Sequence, residues 1–324
     1  MSSSLTQTEQ LVVSAVIVSW NVCPLLRHCL ASLQAARVRL PLDVWVVDNA
    51  STDDSVTMVR EEYPWVQMVI NRENRGFAAA NNQGLRRSDG RYALLLNADA
   101  ALTDGALEAM CAYLDRHSNV GVVGPQLLNS DGTIQSSRRR APRLATGFVE
   151  STQLQQWWPR WWLTDRYYVA DRTDGETQPV DWLVGACLLV RRAAIDAVGL
   201  LDESFQMYSE ELEWCLRIGR AGWEVTYLPS ARVVHHYGQS SGQDVLARHL
   251  NYHASKYRLN AMSHGRPAAL LLRCWIAGLY LLQFCQELAK LAFIDRNRPM
   301  RRDRLRVLAK VLLWHVRSAR ETAG

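Results

Sequence analysis

The sequence predicts an α/β protein with a mixed, mostly parallel sheet and a helical, basic C-terminal appendage. Three observations carry this. Short apolar runs alternate with amphipathic stretches through the first half, the pattern of right-handed βαβ units. Each of those runs ends in a cluster of Asn, Asp and Ser. Residues 296–320 hold nine Lys/Arg against the single acid Asp303, while the 324-residue chain carries only +5, so the remainder is mildly acidic. With 48% hydrophobic residues the chain can fill a sizeable core, which excludes a disordered or disulfide-dependent protein. Seven cysteines (23, 29, 111, 187, 215, 274 and 285) form no C-x-x-C pair, which argues against a zinc ribbon and suits a reducing cytosol. The opening MSSSLTQTEQ lacks a basic stretch followed by an apolar core, so no signal peptide is expected and the protein should stay on the cytosolic side.

In order, residues 12–20, 44–48, 66–70 and 92–97 read as buried strands, being short, apolar and followed by turn residues. Helices are expected over 24–36, which starts after Asn21, and over 53–62, 76–87 and 103–117. A basic loop follows at 138–143, then four tryptophans within residues 157–162, where Pro159 argues against a continuous helix. Residues 182–192 return to strand character. Residues 209–221 read as a helix with acids in its first turn, stopping at Gly222. The segments WEVTYLP and ARVVHHYGQSS read as two further strands, the second leading into a polar loop.

In a parallel sheet, ligands bind beyond the carboxyl ends of the strands, so the residues after each run are the ones to question. They are Ser19-Trp20-Asn21, Asp48-Asn49-Ala50-Ser51, Asn71 to Gly76 and Asn97-Ala98-Asp99. Turn and capping chemistry explains any one of these; four on one edge are harder to explain that way. No G-x-G-x-x-G or G-x-x-x-x-G-K-[ST] loop follows the first strand, which disfavours a dehydrogenase and a phosphate-loop enzyme. A bound diphosphate would then need another counter-charge, most simply a divalent cation on a carboxylate, with Asp99 the natural ligand.

The ordered segments LVVSAVIVSWN, VVDNASTDDS, NRENRGFAAANNQGL, LLLNADA, VDWLVGACLLVRR, DESFQMYSEELEWCLRIGRAGWEV and ARVVHHYGQSS resemble the inverting family-2 glycosyltransferases, most closely the rhamnosyltransferase-like branch. The likeness covers roughly 12–241 except 138–178. It implies the GT-A fold, a Rossmann-like nucleotide-diphospho-sugar transferase sheet. By that resemblance Asp48 contacts the nucleobase, where its carboxylate suits the N3–H of uracil or thymine. Asn74, Arg75 and Gly76 line the nucleotide site with Ser19 and Asn21. The family's D-x-D motif is Asn97-Ala98-Asp99, leaving Asp99 as the carboxylate for Mg²⁺ or Mn²⁺ and Asn97 for ribose or sugar. The catalytic base of the family falls at Glu211, one methylene longer than the usual aspartate, with Glu210 adjacent. His235 or His236 joins the metal, His235 by its spacing to Ser240, and only one should face the site if the strand persists. Trp182, Gly185 and Trp161 are candidates for acceptor contact.

Residues 268–294 are apolar but interrupted, with an uncharged core from Cys274 to Gln286 of only thirteen residues, short of the ~20 that span a bilayer. With the basic stretch behind it, this predicts a membrane-associating appendage of amphipathic helices lying on an anionic surface. The alternative is helices packed on the enzyme's own core or on a second subunit, as in a homodimer. No nucleic-acid recognition module accompanies the charge. The expected layout is 1–10 disordered, 11–241 the transferase (11–100 for the nucleotide-sugar, 101–241 for acceptor and catalysis) and 242–324 the helical region. The expected function is transfer of a sugar, with rhamnose the candidate, from a dTDP- or UDP-linked donor to a glycan or polyprenyl-diphosphate-linked acceptor in cell-surface polysaccharide synthesis. The expected place is the inner face of the cell membrane, held peripherally. A nucleotidyltransferase remains an alternative, although it should carry a glycine-rich loop. So does a non-catalytic membrane scaffold, which would need neither base nor metal ligand.

Overall fold

The computed structural model describes residues 11–150, 152–157, 162–236, 245–293 and 297–321. They divide into two compact units, the first from 1–141 with 172–240 and the second from 142–171 with 241–324. In chain order unit 1 contains β1 (Val13–Ser19), α1 (Cys23–Arg37), β2 (Leu42–Asp48), α2 (Ser55–Glu62), β3 (Gln67–Ile70), α3 (Phe77–Leu85), β4 (Tyr92–Asn97), β5 (Ala100–Leu102), α4 (Ala106–Arg116), β6 (Val120–Leu128), β7 (Ile134–Gln135) and β8 (Arg138–Arg139). Three short helices of unit 2 follow: α5 (Leu144–Val149), α6 (Gln153–Trp157) and α7 (Trp162–Tyr167). Unit 1 resumes with β9 (Gln178–Val180), β10 (Trp182–Leu183), β11 (Cys187–Arg191), α8 (Arg192–Val198), α9 (Glu210–Arg220) and β12 (Glu224–His235). Unit 2 then adds α10 (Val245–His264), α11 (Arg266–Phe293) and α12 (Arg298–Glu321).

The main sheet runs β3-β2-β1-β4-β11-β6-β12-β5. β3, β2, β1 and β4 are parallel, and β11 lies antiparallel between β4 and β6. The register sets Ser19 opposite Asp48, Val18 opposite Asn97 and Asp48 opposite Ile70. The polar tips therefore stand along one edge, as the sequence led one to expect. Val44, Val46, Leu94 and Leu96 fill the core with Leu26, Leu30 and Leu33 of α1 and Leu107 and Met110 of α4.

The strands depart from expectation in several places: β6, β7 and β9 were not expected, and β8 falls within the stretch 138–143 read as a loop. β3 is an edge strand with Ile70 exposed, so its apolar run is only half-buried. The run 182–192 breaks in two because its backbone serves two partners: Val184 N–H donates to Ser137 O, while Ala186 O accepts from Asn97 N–H. The two segments 223–229 and 231–241 form one strand up to His235, and a register shift between Leu228 and Arg232 absorbs Pro229, which has no N–H to give the ladder. β5, immediately after Asp99, was not expected at all.

In unit 2, Tyr257 of α10, Leu272, Ile276 and Tyr280 of α11, and Leu308 and Val311 of α12 form the core. α11 is 28 residues long with a mean hydropathy of 1.7 in its most apolar window, enough to cross a bilayer by length and composition alone. The thirteen-residue uncharged run therefore understates the helix.

Candidate active site

The nucleotide edge is built by hydrogen bonds between the strand tips. Asp48 accepts the Ser51 N–H on Oδ2 at 2.9 Å, while Oδ1, equally buried, has no partner. Ser19 Oγ beside it is also buried and unpartnered. Asn21, at φ +51, is held by the turn after β2: its Oδ1 accepts Thr52 N–H at 2.7 Å and its own N–H donates to Ser51 Oγ at 3.0 Å. Asn49 Oδ1 accepts from Asn71 Nδ2 and Arg75 N–H, and its Nδ2 donates to Asn74 Oδ1 and Gly76 O. Asn74 Oδ1 also accepts Gly76 N–H at 3.0 Å. Thus Asn74 and Gly76 shape the loop wall, and the exposed Arg75 side chain stands at its rim. Gly76 sits at φ +80, and a Cβ there would come within 2.5 Å of Gln206 O, which also accepts Phe77 N–H at 2.8 Å. Only glycine lets the segment before α9 approach this loop so closely.

Beyond β4, Asp99 and His235 are both buried, with His235 Nε2 3.3 Å from Asp99 Oδ1. His235 Nδ1 donates to Gln135 Oε1 at 2.7 Å, since an amide oxygen can only accept, and this directs the Nε2 lone pair at the carboxylate. Two acceptors at that separation call for a cation or a proton between them. Asn97 lies alongside, its Nδ2 3.5 Å from the same Nε2 and its Oδ1 buried without a partner. A carboxylate, an imidazole and an amide oxygen fit Mg²⁺ or Mn²⁺. Among the described residues no group of three or more His, Cys, Asp and Glu converges. His236 turns away onto Ser130 Oγ at 2.7 Å, as neighbours on a strand must. Gln135, in a two-residue strand, gives no signal in the sequence.

The acids of α9 form the third element. α9 is fixed by Trp214, whose Nε1 donates to Gly199 O at 2.9 Å, and by Arg217, which reaches Val198 O, Leu200 O and the Glu213 carboxylate. Tyr208 and Ser209 take φ of +72 and +68, so the chain turns sharply into the helix and delivers Glu210 and Glu211 at its N-terminus. Burial raises both carboxyl pKa values, Glu210 the more because Glu211 lies beside it. Backbone N–H groups, that of Gly185 among them, and the charge of Arg139 oppose the rise at Glu211. Each carboxyl keeps one inaccessible oxygen, Oε2, without a partner. Gly185 lies against this side chain, and a Cβ there would stand 3.2 Å from Glu211 Cγ. Trp182 is buried, its Nε1 donating to Arg140 O at 3.1 Å and its ring beneath Arg139. Trp161 lies outside the described residues; Trp157 and Trp162 are exposed.

Residues 184–186 join these elements. Gly185 N–H meets Glu211, and the next carbonyl, of Ala186, accepts from Asn97 N–H at 2.9 Å. The base candidate and the Asn97–Asp99 tip are therefore neighbours across one short turn.

The description "Glycosyl transferase family 2" matches residues 14–199. The N-acetylglucosaminyl-diphospho-decaprenol L-rhamnosyltransferase of Mycobacterium tuberculosis (strain CDC 1551 / Oshkosh) is 34% identical over 265 residues, covering 78% of this chain and 85% of that protein. A mannosyltransferase of Pyrobaculum calidifontis, solved with GDP-Man and Mn²⁺, superposes with a TM-score of 0.51 at 19% identity, covering 96% of this chain and 87% of its own. GalNAc-T7, solved with UDP, GalNAc and Mn²⁺, does so with a TM-score of 0.52 at 17% identity, over 71% of this chain and 44% of its own. The polar strand edge, the mixed sheet and these likenesses agree: the chain is a GT-A-fold glycosyltransferase and belongs to glycosyl transferase family 2.

Proposed function

We propose that this transferase moves rhamnose, the sugar in its mycobacterial relative's name, from a dTDP- or UDP-linked donor to a polyprenyl-diphosphate-linked acceptor, with inversion, in cell-surface polysaccharide synthesis. Asp48 Oδ1 accepts the N3–H of the pyrimidine, a neutral donor that a purine does not present in the same place. Ser19 and Arg75 lie along the same edge to receive ribose and phosphate. Asp99 and His235 hold Mg²⁺ or Mn²⁺, which when bound offsets the charge developing on the departing diphosphate. Asn97 Oδ1 takes a hydroxyl of the ribose or sugar. Glu211 removes the proton of the acceptor hydroxyl, and its raised pKa suits that work because a more basic carboxylate is the better proton acceptor. Glu210, buried beside it, has its own carboxyl pKa raised by burial and by the neighbouring Glu211. A lipid-linked acceptor would put the reaction at the inner face of the cell membrane.

The observation that carries this reading is the turn 184–186, whose consecutive residues hold Glu211 through Gly185 N–H and the Asn97–Asp99 tip through Ala186 O. The test is nucleotide release from a panel of nucleotide-sugars with a diphospho-prenol acceptor, followed by NMR of the product's anomeric proton. Inverted configuration, loss of turnover on chelation and competition by dTDP or UDP but not GDP are expected. Retained configuration or equal competition by purines overturns the mechanism. Binding without turnover favours the scaffold.

A further inference from the structure

α11 packs inside out. Between residues 267 and 289 it carries two charges, Arg273 and Glu287, and both face inward at 6% and 3% exposure. Tyr280 stands midway between them on the same face, at the seven-residue spacing that keeps one side of a helix. Arg273 lies over the rings of Tyr257 and Trp314, and Glu287 pairs with Arg301 at 3.1 Å and Lys290 at 3.1 Å. The opposite face bears Leu271 at 60% exposure, Leu281 at 54% and Leu288 at 51%, with the two exposed cysteines, Cys274 and Cys285, between them, while Trp275 packs on Phe148.

We propose that this outer face of α11 is the seat of unit 2 on an anionic lipid bilayer, with the helix lying in the interface and not crossing it. Its length and hydropathy alone would permit crossing. Its partner does not: α12 runs alongside from Arg301 by Glu287 to Trp314 by Arg273, and its exposed Arg302, with Arg304 and Arg306 that pair with Glu287 and Asp303, belongs in water or among head groups. An in-plane helix keeps both, sinking its leucines roughly 5–10 Å while α12 meets anionic head groups. The exposed arginines that α12 carries in the same unit favour anionic lipid over a second copy, which would bring like charges together.

The test uses the full chain and vesicles of phosphatidylglycerol with phosphatidylcholine. Flotation is expected at low salt, with a substantial bound fraction surviving about 1 M NaCl, where the screening length is about 3 Å. Leu271→Glu with Leu281→Glu should reduce that salt-resistant fraction at least tenfold, since it replaces two exposed apolar side chains of this face with charges. Arg302→Glu with Arg306→Glu should weaken only low-salt binding. Unit 1 plays no part in this seat, so nucleotide release on a water-soluble acceptor should be unchanged in the leucine variant. Alkylation of the unsubstituted chain gives a second measurement that needs no variant. Vesicles should slow maleimide addition at Cys274 and Cys285 about tenfold or more. The other five cysteines are buried without lipid, so their slow reaction should not depend on vesicles. Flotation with undiminished labelling would mean that charge alone binds and would overturn the proposal. So would protection of both thiols without vesicles in a dimer that the leucine variant dissociates.

Discussion

In unit 1 an apolar sheet carries its polar groups out to one edge, whereas in unit 2 polar groups lie between the helices and apolar side chains face outward. The edge of unit 1 leaves Ser19 Oγ, Asp48 Oδ1, Asn97 Oδ1 and the Glu210 and Glu211 Oε2 atoms unsatisfied although water cannot reach them. Such vacancies are destabilising by roughly 1–3 kcal/mol each, so an edge that keeps five of them is shaped for a ligand rather than for stability. Unit 2 joins many of its polar groups to one another, although His253 Nδ1 and His315 Nε2 are buried there without a hydrogen-bond partner. The Tyr280 hydroxyl bridges His253 Nε2 and His249 Nδ1, both at 2.9 Å, and Tyr257 reaches His315 Nδ1 at 3.3 Å. A linked network of this kind specifies how three helices meet, because any other register strands its members. Buried titratable groups thus gather at the strand tips and the start of α9 in unit 1 and between the helices in unit 2.

The contrast breaks most sharply at Glu211. Glu211→Gln should lower kcat by about 10²–10⁴, the usual contribution of a positioned base, with donor affinity nearly unchanged. If Glu210→Gln is the inactive variant and Glu211→Gln is not, the roles in this helix are reversed. Asp99→Ala should cost about 10²–10³ in turnover and abolish the response to added Mn²⁺. Gln135→Leu removes the acceptor that orients His235, along with the Gln135 donor to Asn129 Oδ1, so about a 10–100-fold loss of metal affinity is expected, restored in part by excess metal. Full activity of Gln135→Leu at low metal would show that His235 is not held for that purpose.

Unit 1 was the more legible unit because its chemistry is local. A polar cluster directly after an apolar run announces a strand tip, and the ordered motifs around Asp48, Asn97-Ala98-Asp99 and Glu211 carried the family. What depended on distant partners was not visible. Gln135 earns its place only by meeting a histidine 100 residues away. The break at 184–186 comes from Ser137 and Asn97 competing for one segment's backbone. β5 exists because β12 pairs with it. In unit 2 the composition of α11 was plain, but which face turned inward was decided by Tyr257, Arg301 and Trp314 on its neighbours.

A smaller effect is expected at Gly185. An added methyl would meet Glu211 Cγ, Cβ and Cδ at 3.2, 3.3 and 3.5 Å, close enough to push the carboxyl by a few tenths of an ångström. Gly185→Ala should therefore lower kcat about tenfold, since catalytic groups tolerate little misplacement, and leave KM for the donor unchanged. A rise in donor KM instead would put Gly185 in the nucleotide site.

The last prediction sets the two units against each other by pH. In unit 2 burial lowers the His315 pKa to about 4, aided by Arg273, and that of His253 to about 2, aided by His315, Lys256 and His249. Unfolded histidine takes a proton near 6.5, so between that pH and about 4 the unfolded chain binds more protons than the native one. Stability then rises with pH and is lost as pH falls through this window. The Glu210–Glu211 pair has the opposite sign. Its native pKa values lie above 4.5, so its contribution is greatest at acid pH and declines as pH rises from about 4.5 up through them. Hydrogen exchange read peptide by peptide should show α10–α12 losing protection between pH 6.5 and 4 while the strands of unit 1 change less. His315→Phe should flatten the loss in unit 2, because one of the groups that must charge on unfolding is gone. In unit 1, Glu211→Gln should raise the protection of β10 and α9 near neutral pH and give no gain at pH 4. Equal protection of α10–α12 at pH 4 and 7 would mean that these imidazoles accept protons without leaving the native bundle.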